Sequence, residues 1–160
     1  MRLNHRVHTS AAPAGVWQLL GNARSWRMFE LSLRGVRGVR GRVSSGDHLM
    51  VLLRLSAIGV PVDVVEAVPE QRLVLVVHLL PGLREQVTFD LTPAVRGGTD
   101  IAVSVVVDGL LARPAALPIW LYDGLTTRVL AARTDRIARL ARRAAAAPRA
   151  RESGARSRSS

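Results

Sequence analysis

The chain has no cysteine among its 160 residues. Disulfides, thiolate metal sites and thiol nucleophiles are therefore excluded, and packing alone must hold the fold. Lysine is also missing, since all 23 basic residues are arginine. Aromatic residues are scarce: three Trp, two Phe and one Tyr. The 48% apolar content thus falls mainly on Val, Leu, Ile and Ala, a composition that favours strands. Nowhere do about 18 apolar residues run without a charge, so no membrane-spanning helix is expected. The first nine residues mix His and Arg with apolar residues, unlike a secretory leader, and a cytoplasmic location is the expectation.

What the chain does have is charge of one sign. The formal net charge is +11, but the nine Arg between Arg133 and Ser160, set against Asp135 and Glu152, account for +7 of it. The body is only mildly basic. Abundant Arg, Ala and Gly without Lys fits the codon bias of a GC-rich genome, so nucleic acid is not the expected partner. Beyond Pro148 the residues offer nothing to bury, which divides the chain into a domain over 1–147 and a disordered Arg/Ser-rich tail over 148–160.

Period-two alternation marks the first strand, with Leu3, His5 and Val7 on one face and Arg2, Asn4, Arg6 and His8 on the other. Pro13 suits the first turn of a short helix that ends near Gly21, and Asn22 can cap a second over Ala23 to Met28. Six further strands follow: Leu31–Val39, His48–Ile58, Val60–Val68, Arg72–Leu80, Leu83–Thr92 and Thr99–Asp108. Gly and Pro chemistry separates them, and links this short force antiparallel pairing. A long helix from about Ala115–Pro118 to Ala146 closes the domain. Projection at about 3.6 residues per turn puts Ile119, Tyr122, Thr126, Val129, Leu130, Ile137 and Leu140 on its inward face. Arg128, Asp135, Arg139 and Arg142 fall opposite. The class is α+β, a seven-stranded curved antiparallel sheet around a long C-terminal helix. Such a sheet cannot close fully on one helix, which leaves an apolar pocket between them.

The order of elements and several short motifs resemble the START-like (helix-grip, SRPBCC) superfamily, in particular its polyketide cyclase/dehydrase and lipid-transport members. The motifs are Ala12-Pro13-Ala14-Gly15-Val16-Trp17-Gln18-Leu19-Leu20, Trp26 with Phe29, Val68-Pro69 before Arg72-Leu73, and Gly97-Gly98-Thr99. The resemblance in the spacing of these elements covers about residues 3 to 145. The resemblance implies a pocket for a hydrophobic molecule, and roles that range from lipid or isoprenoid carriage to ring closure on polyketides. Aromatase members of the family carry an Arg just before the Val-Pro and a Tyr after the second-helix Trp. Here those positions hold Ala67 and Leu33, so the aromatase machinery is missing.

The four His, at 5, 8, 48 and 78, are scattered over three strands with no close pair evident on one face, and no metal or cofactor is expected. The stretch Gly35 to Gly41 lacks the strand, loop and helix context of a phosphate cradle. No Gly-x-Ser-x-Gly elbow exposes a serine nucleophile. The expected ligand-binding residues are Trp26, Phe29, Val65, Val87, Phe89, Trp120, Tyr122, Thr126 and Arg133, with Trp17 in the core. The family often has Asn where Arg133 stands. Arg133, Tyr122 and one of Asp63 or Glu85 are expected to form the polar end of the pocket and are the candidate catalytic groups. The leading functional expectation is the binding of a polyketide, lipid or isoprenoid. The alternative is a polyketide cyclase or dehydratase that works by acid–base catalysis. A third reading, an adaptor whose basic tail meets nucleic acid or an anionic membrane, ranks last.

Overall fold

The computed structural model describes residues 2–39, 41–54, 59–109 and 124–143. Seven strands form one antiparallel sheet: β1 (Arg2–Thr9), β2 (Leu33–Arg37), β3 (His48–Leu53), β4 (Gly59–Val68), β5 (Arg72–Leu80), β6 (Leu83–Pro93) and β7 (Thr99–Asp108). Their order across the sheet is β1-β7-β6-β5-β4-β3-β2, so every neighbour from β2 to β7 is also a neighbour in sequence, and β1 closes on β7. Short links allow nothing else. Helix α1 (Pro13–Leu20) and a 3-10 helix (Ala23–Met28) follow β1, and residues 124–143 form the C-terminal helix α2. Among the described residues, no helix is long and apolar enough to cross a membrane.

Local chemistry explains these boundaries. Pro13 opens α1, where its missing N–H costs no hydrogen bond, and Asn22 accepts a hydrogen bond from the Arg24 N–H to start the 3-10 helix. Trp26 Nε1 donates to the Leu20 carbonyl oxygen at 2.7 Å and so locks the two helices together. Gly98, in the β6–β7 turn, has φ +89° and lies so close to the Thr9 carbonyl that a side chain could not fit.

Alternation sorts the strands into two faces. Ile101, Val103, Val105 and Val107 of β7 are all buried, as are Leu83, Phe89 and Leu91 of β6 and Leu73 and Leu75 of β5. With Leu33, Leu49, Val51, Val62 and Val64 they form one core, which Val16, Leu19 and Leu20 of α1 join and Leu130 completes from α2. Gly124 has a reason to be in α2, because a Cβ there would stand 3.1 Å from the His5 ring; its absence lets helix and β1 approach. The predicted helical start at about Ala115–Pro118, its end near Ala146 and the tail over 148–160 lie outside the described residues.

The inward face of α2 differs from the projected one. Thr126, Thr127, Leu130, Ala131 and Thr134 are buried, whereas Leu140 is 54% exposed and Arg133 is exposed. The helix is rotated by roughly one residue, about 100°, because Thr127 and Thr134, which read as polar, are packed inside beside the expected Thr126. That rotation also brings in Asp135, expected on the opposite face. Its carboxylate accepts hydrogen bonds from Thr9 Oγ1 (2.8 Å), the Ser10 N–H (2.6 Å) and Ser10 Oγ (2.8 Å). Thr134 Oγ1 lies 2.9 Å from Thr9 Oγ1, so two successive helix residues clasp the end of β1.

Burial opposes the charge on Asp135, but the bonds from Thr9 and Ser10 and the nearby Arg139 outweigh it and hold its pKa below the usual 3.8. Asp135→Ala is expected to cost about 1–3 kcal/mol at neutral pH, since the buried Thr9 hydroxyl loses an acceptor. The depressed pKa sets the pH window: the contribution is complete above about 3.8 and disappears as acid protonates the folded carboxylate below that. Urea midpoints of the two proteins at pH 7 and pH 3 measure it.

Candidate functional site

Between the concave face of the sheet and α2 lies a cavity of about 490 Å³. Inward side chains of six strands line it, among them Leu33, Val51, Val60, Val62, Leu75, Val77, Leu79, Val87 and Val103, and Trp26 and Phe29 close one side. Each strand contributes every second residue, so the apolar lining follows directly from the alternation that builds the core. The size falls within the range, roughly 300–1,000 Å³, of small-molecule sites.

Five polar residues interrupt this surface: Glu30, Ser32, Glu85, Thr126 and Thr127. Glu30 follows the 3-10 helix, in the turn that leads to β2. Its Oε1 accepts from the Ser32 N–H (3.2 Å) and Ser32 Oγ (2.8 Å), and its Oε2 from Thr126 Oγ1 (3.4 Å) on α2. Burial raises the Glu30 pKa, and these bonds from Ser32 and Thr126 offset only part of the rise. Glu85 sits on β6 at an inward position, paired in register with Val107 and Val77. Burial, and next the charge of Glu30, push its pKa up to about 7. Two carboxyl groups from distant parts of the chain thus share one apolar cavity, each shifted toward its neutral form.

Trp26, Phe29, Val87, Phe89 and Thr126, expected to bind ligand, all line this cavity, as does Glu85. Three other candidates are elsewhere. Val65 is 56% exposed, because a β-bulge between Val64 and Glu66 leaves Val60, Val62 and Val64, and not Val65, on the inner face of β4. Asp63 shares the outer face, where it accepts hydrogen bonds from His48 Nδ1 (2.7 Å) and His78 Nε2 (2.8 Å). These bonds, led by that from His48, hold its pKa below the ordinary 3.8. Two of the four histidines therefore do converge on one face, contrary to expectation, because register places His48 directly opposite Asp63. Among the described residues, no group of three His, Asp or Glu is placed to hold a metal ion. Arg133, exposed on α2, does not reach the cavity, and the polar end expected around it is formed instead by Glu30 and Glu85. Trp120 and Tyr122 lie outside the described residues.

Glu30 is the site residue that sequence reasoning missed. Strand or helix periodicity does not reach it, as it stands in a turn between Phe29 and Leu31. The available signal was local: a carboxylate two residues before a serine can take that residue's N–H and hydroxyl, as Glu30 does here.

Leu33 and Ala67, expected from the sequence to replace a Tyr and an Arg, supply neither a phenol nor a cation at their positions. Leu33 lines the cavity, and Ala67 packs half-buried on the core.

No protein-family model matches the chain, and no curated protein is significantly similar to it. Solved structures are similar in fold. The X-ray structure of a Mesorhizobium loti protein superimposes with a TM-score of 0.70 at 18% identity, covering 85% of this chain and 98% of that one. A Nitrosospira multiformis protein gives 0.69 at 14% identity, with 87% and 99% covered. A START superfamily protein from Mycobacterium smegmatis gives 0.63 at 14% identity, with 87% and 98% covered. Identities this low speak for architecture alone: the chain has a helix-grip fold of the kind found in that START superfamily protein.

Proposed function

We propose that this chain binds a hydrophobic small molecule, of the size of a polyketide, lipid or isoprenoid, in the cavity between the sheet and α2. The observation that carries the reading is the cavity itself: about 490 Å³, lined by alternating apolar side chains of six strands and closed on one side by Trp26 and Phe29. A packed interior normally leaves few voids larger than a water molecule. An opening of this size in a chain with Leu and Val to spare gives up packing energy that an apolar ligand restores. Nile red, a neutral apolar dye, is expected to enter the cavity and brighten. Val87→Trp, which fills the space from the inner face of β6, is expected to abolish the signal while the thermal melt stays cooperative. Undiminished dye binding by a folded Val87→Trp protein would refute the reading.

A second reading, a cyclase or dehydratase, is favoured by the paired carboxyls. Glu85, with a pKa of about 7, is half protonated at neutral pH. One carboxylate of the pair can take a proton from the carbon beside a carbonyl while the protonated partner gives one to a departing hydroxyl. Water then leaves, and the pair ends with the single proton it began with. Turnover of a β-hydroxy carbonyl substrate that falls at least about a hundredfold in Glu85→Gln supports this reading; equal turnover opposes it.

A further inference from the structure

Glu30 and Glu85 bring two acids into the cavity, and none of the described residues lining it is basic. Glu85 occupies an inward position between Leu83 and Val87, where an apolar side chain would serve folding better. Glu30 is reached by Ser32 from its own turn and by Thr126 from α2, which fix its carboxyl toward the interior. The two groups act on one another, since the charge of Glu30 is one of the causes that raise Glu85.

The chemistry of the occupant follows from what this pair lacks. Burial and mutual repulsion both penalise ionised carboxyls here, and a cation placed against them removes both penalties. An ammonium group does so with up to three N–H donors, each in a charge-assisted hydrogen bond about twice as strong as a neutral one. A hydroxyl or carbonyl can bond to one acid but leaves the repulsion in place. A ligand carboxylate or phosphate adds a third negative charge.

We propose that the molecule held in this cavity is an amphiphile with a protonated amine, its nitrogen against Glu30 and Glu85 and its hydrocarbon part along Leu75, Val87 and Phe89. The inference rests on the reading of the cavity as a hydrophobic binding site and adds the headgroup.

Three probes of equal chain length separate the headgroup from the hydrocarbon: decylamine, 1-decanol and decanoate, each titrated calorimetrically into the full chain at pH 7.5. Decylamine is expected to bind at least about tenfold more tightly than decanol, and decanoate most weakly. In the isosteric Glu30→Gln/Glu85→Gln protein the amine should fall to the level at which that protein binds the alcohol. Glu85→Gln alone should already narrow the gap, which keeps the test open if the double variant does not fold. Equal binding of all three probes to the native chain overturns the amine and leaves the hydrophobic site standing. Failure of all three to bind overturns both; a preference for decanoate over decylamine overturns the headgroup alone.

Discussion

Glu85→Gln is expected to stabilise the folded chain at pH 8 by on the order of 3 kcal/mol and to change its stability little at pH 4. In the unfolded chain this acid loses its proton near its ordinary 4.5; in the fold it does so at about 7. Between those values the folded state holds a proton that the unfolded state has released. The raised pKa therefore contributes stability in full below about 4.5, and that contribution is lost as pH rises through about 7. Above it the native protein carries a buried charge that the amide does not. Glu30, raised by burial, acts in the same direction. The measurement is a urea denaturation series for both proteins from pH 4 to pH 9. The difference between their stabilities should open across the window from about 4.5 to 7 and stay constant beyond. A difference that does not vary with pH would show that Glu85 ionises as freely in the fold as in water. The Gln variant should bind neutral apolar molecules as the native chain does, so stability and headgroup preference can be read on the same protein.

The stability cost located at Glu85 could be read from the sequence only in part. Period-two alternation along β6 put Glu85 on the same face as Val87, Phe89 and Leu91, which is where it stands. The same method gave β5 and β7 their bounds, because Gly or Pro chemistry sits at each end of both strands. It failed in β4, where Val64 and Val65 are adjacent and equally apolar. Counting back from Val65 turns Asp63 inward; the bulge between Val64 and Glu66 makes Val64 the inward residue and sends Asp63 out to His48 and His78. A bulge adds one residue to one strand only, and nothing in the identity of two neighbouring valines marks it. Glu30 was hidden for another reason, since its place depends on a turn held by Ser32 and on a threonine 96 residues away in the chain. The helix phase was lost to composition. Thr127 and Thr134 weigh as polar in a periodicity count, yet Thr134 returns its hydroxyl to the Leu130 and Ala131 carbonyls and can be buried without loss.

Leu130→Ala is expected to cost about 2–5 kcal/mol, the usual range for a fully buried leucine whose space does not collapse, whereas Arg133→Ala should shift stability by no more than about 0.5 kcal/mol. Leu130 is wholly buried and ties α2 to the core of the sheet, while Arg133, three residues on, is exposed. An inward face centred one residue earlier would keep Leu130 inside but also hold Arg133 against the cavity, making both costly to remove. Denaturant midpoints of the two variants therefore measure the rotation of the helix. They also bear on the site, because Thr126, one turn before Leu130, donates to Glu30 from the same face of α2. A helix loosened at Leu130 should release that bond, and Leu130→Ala should then lose part of its preference for decylamine over decanol, which Arg133→Ala keeps. Equal losses of stability in the two variants would overturn the observed phase, and with it the route by which α2 orients the Glu30 carboxyl.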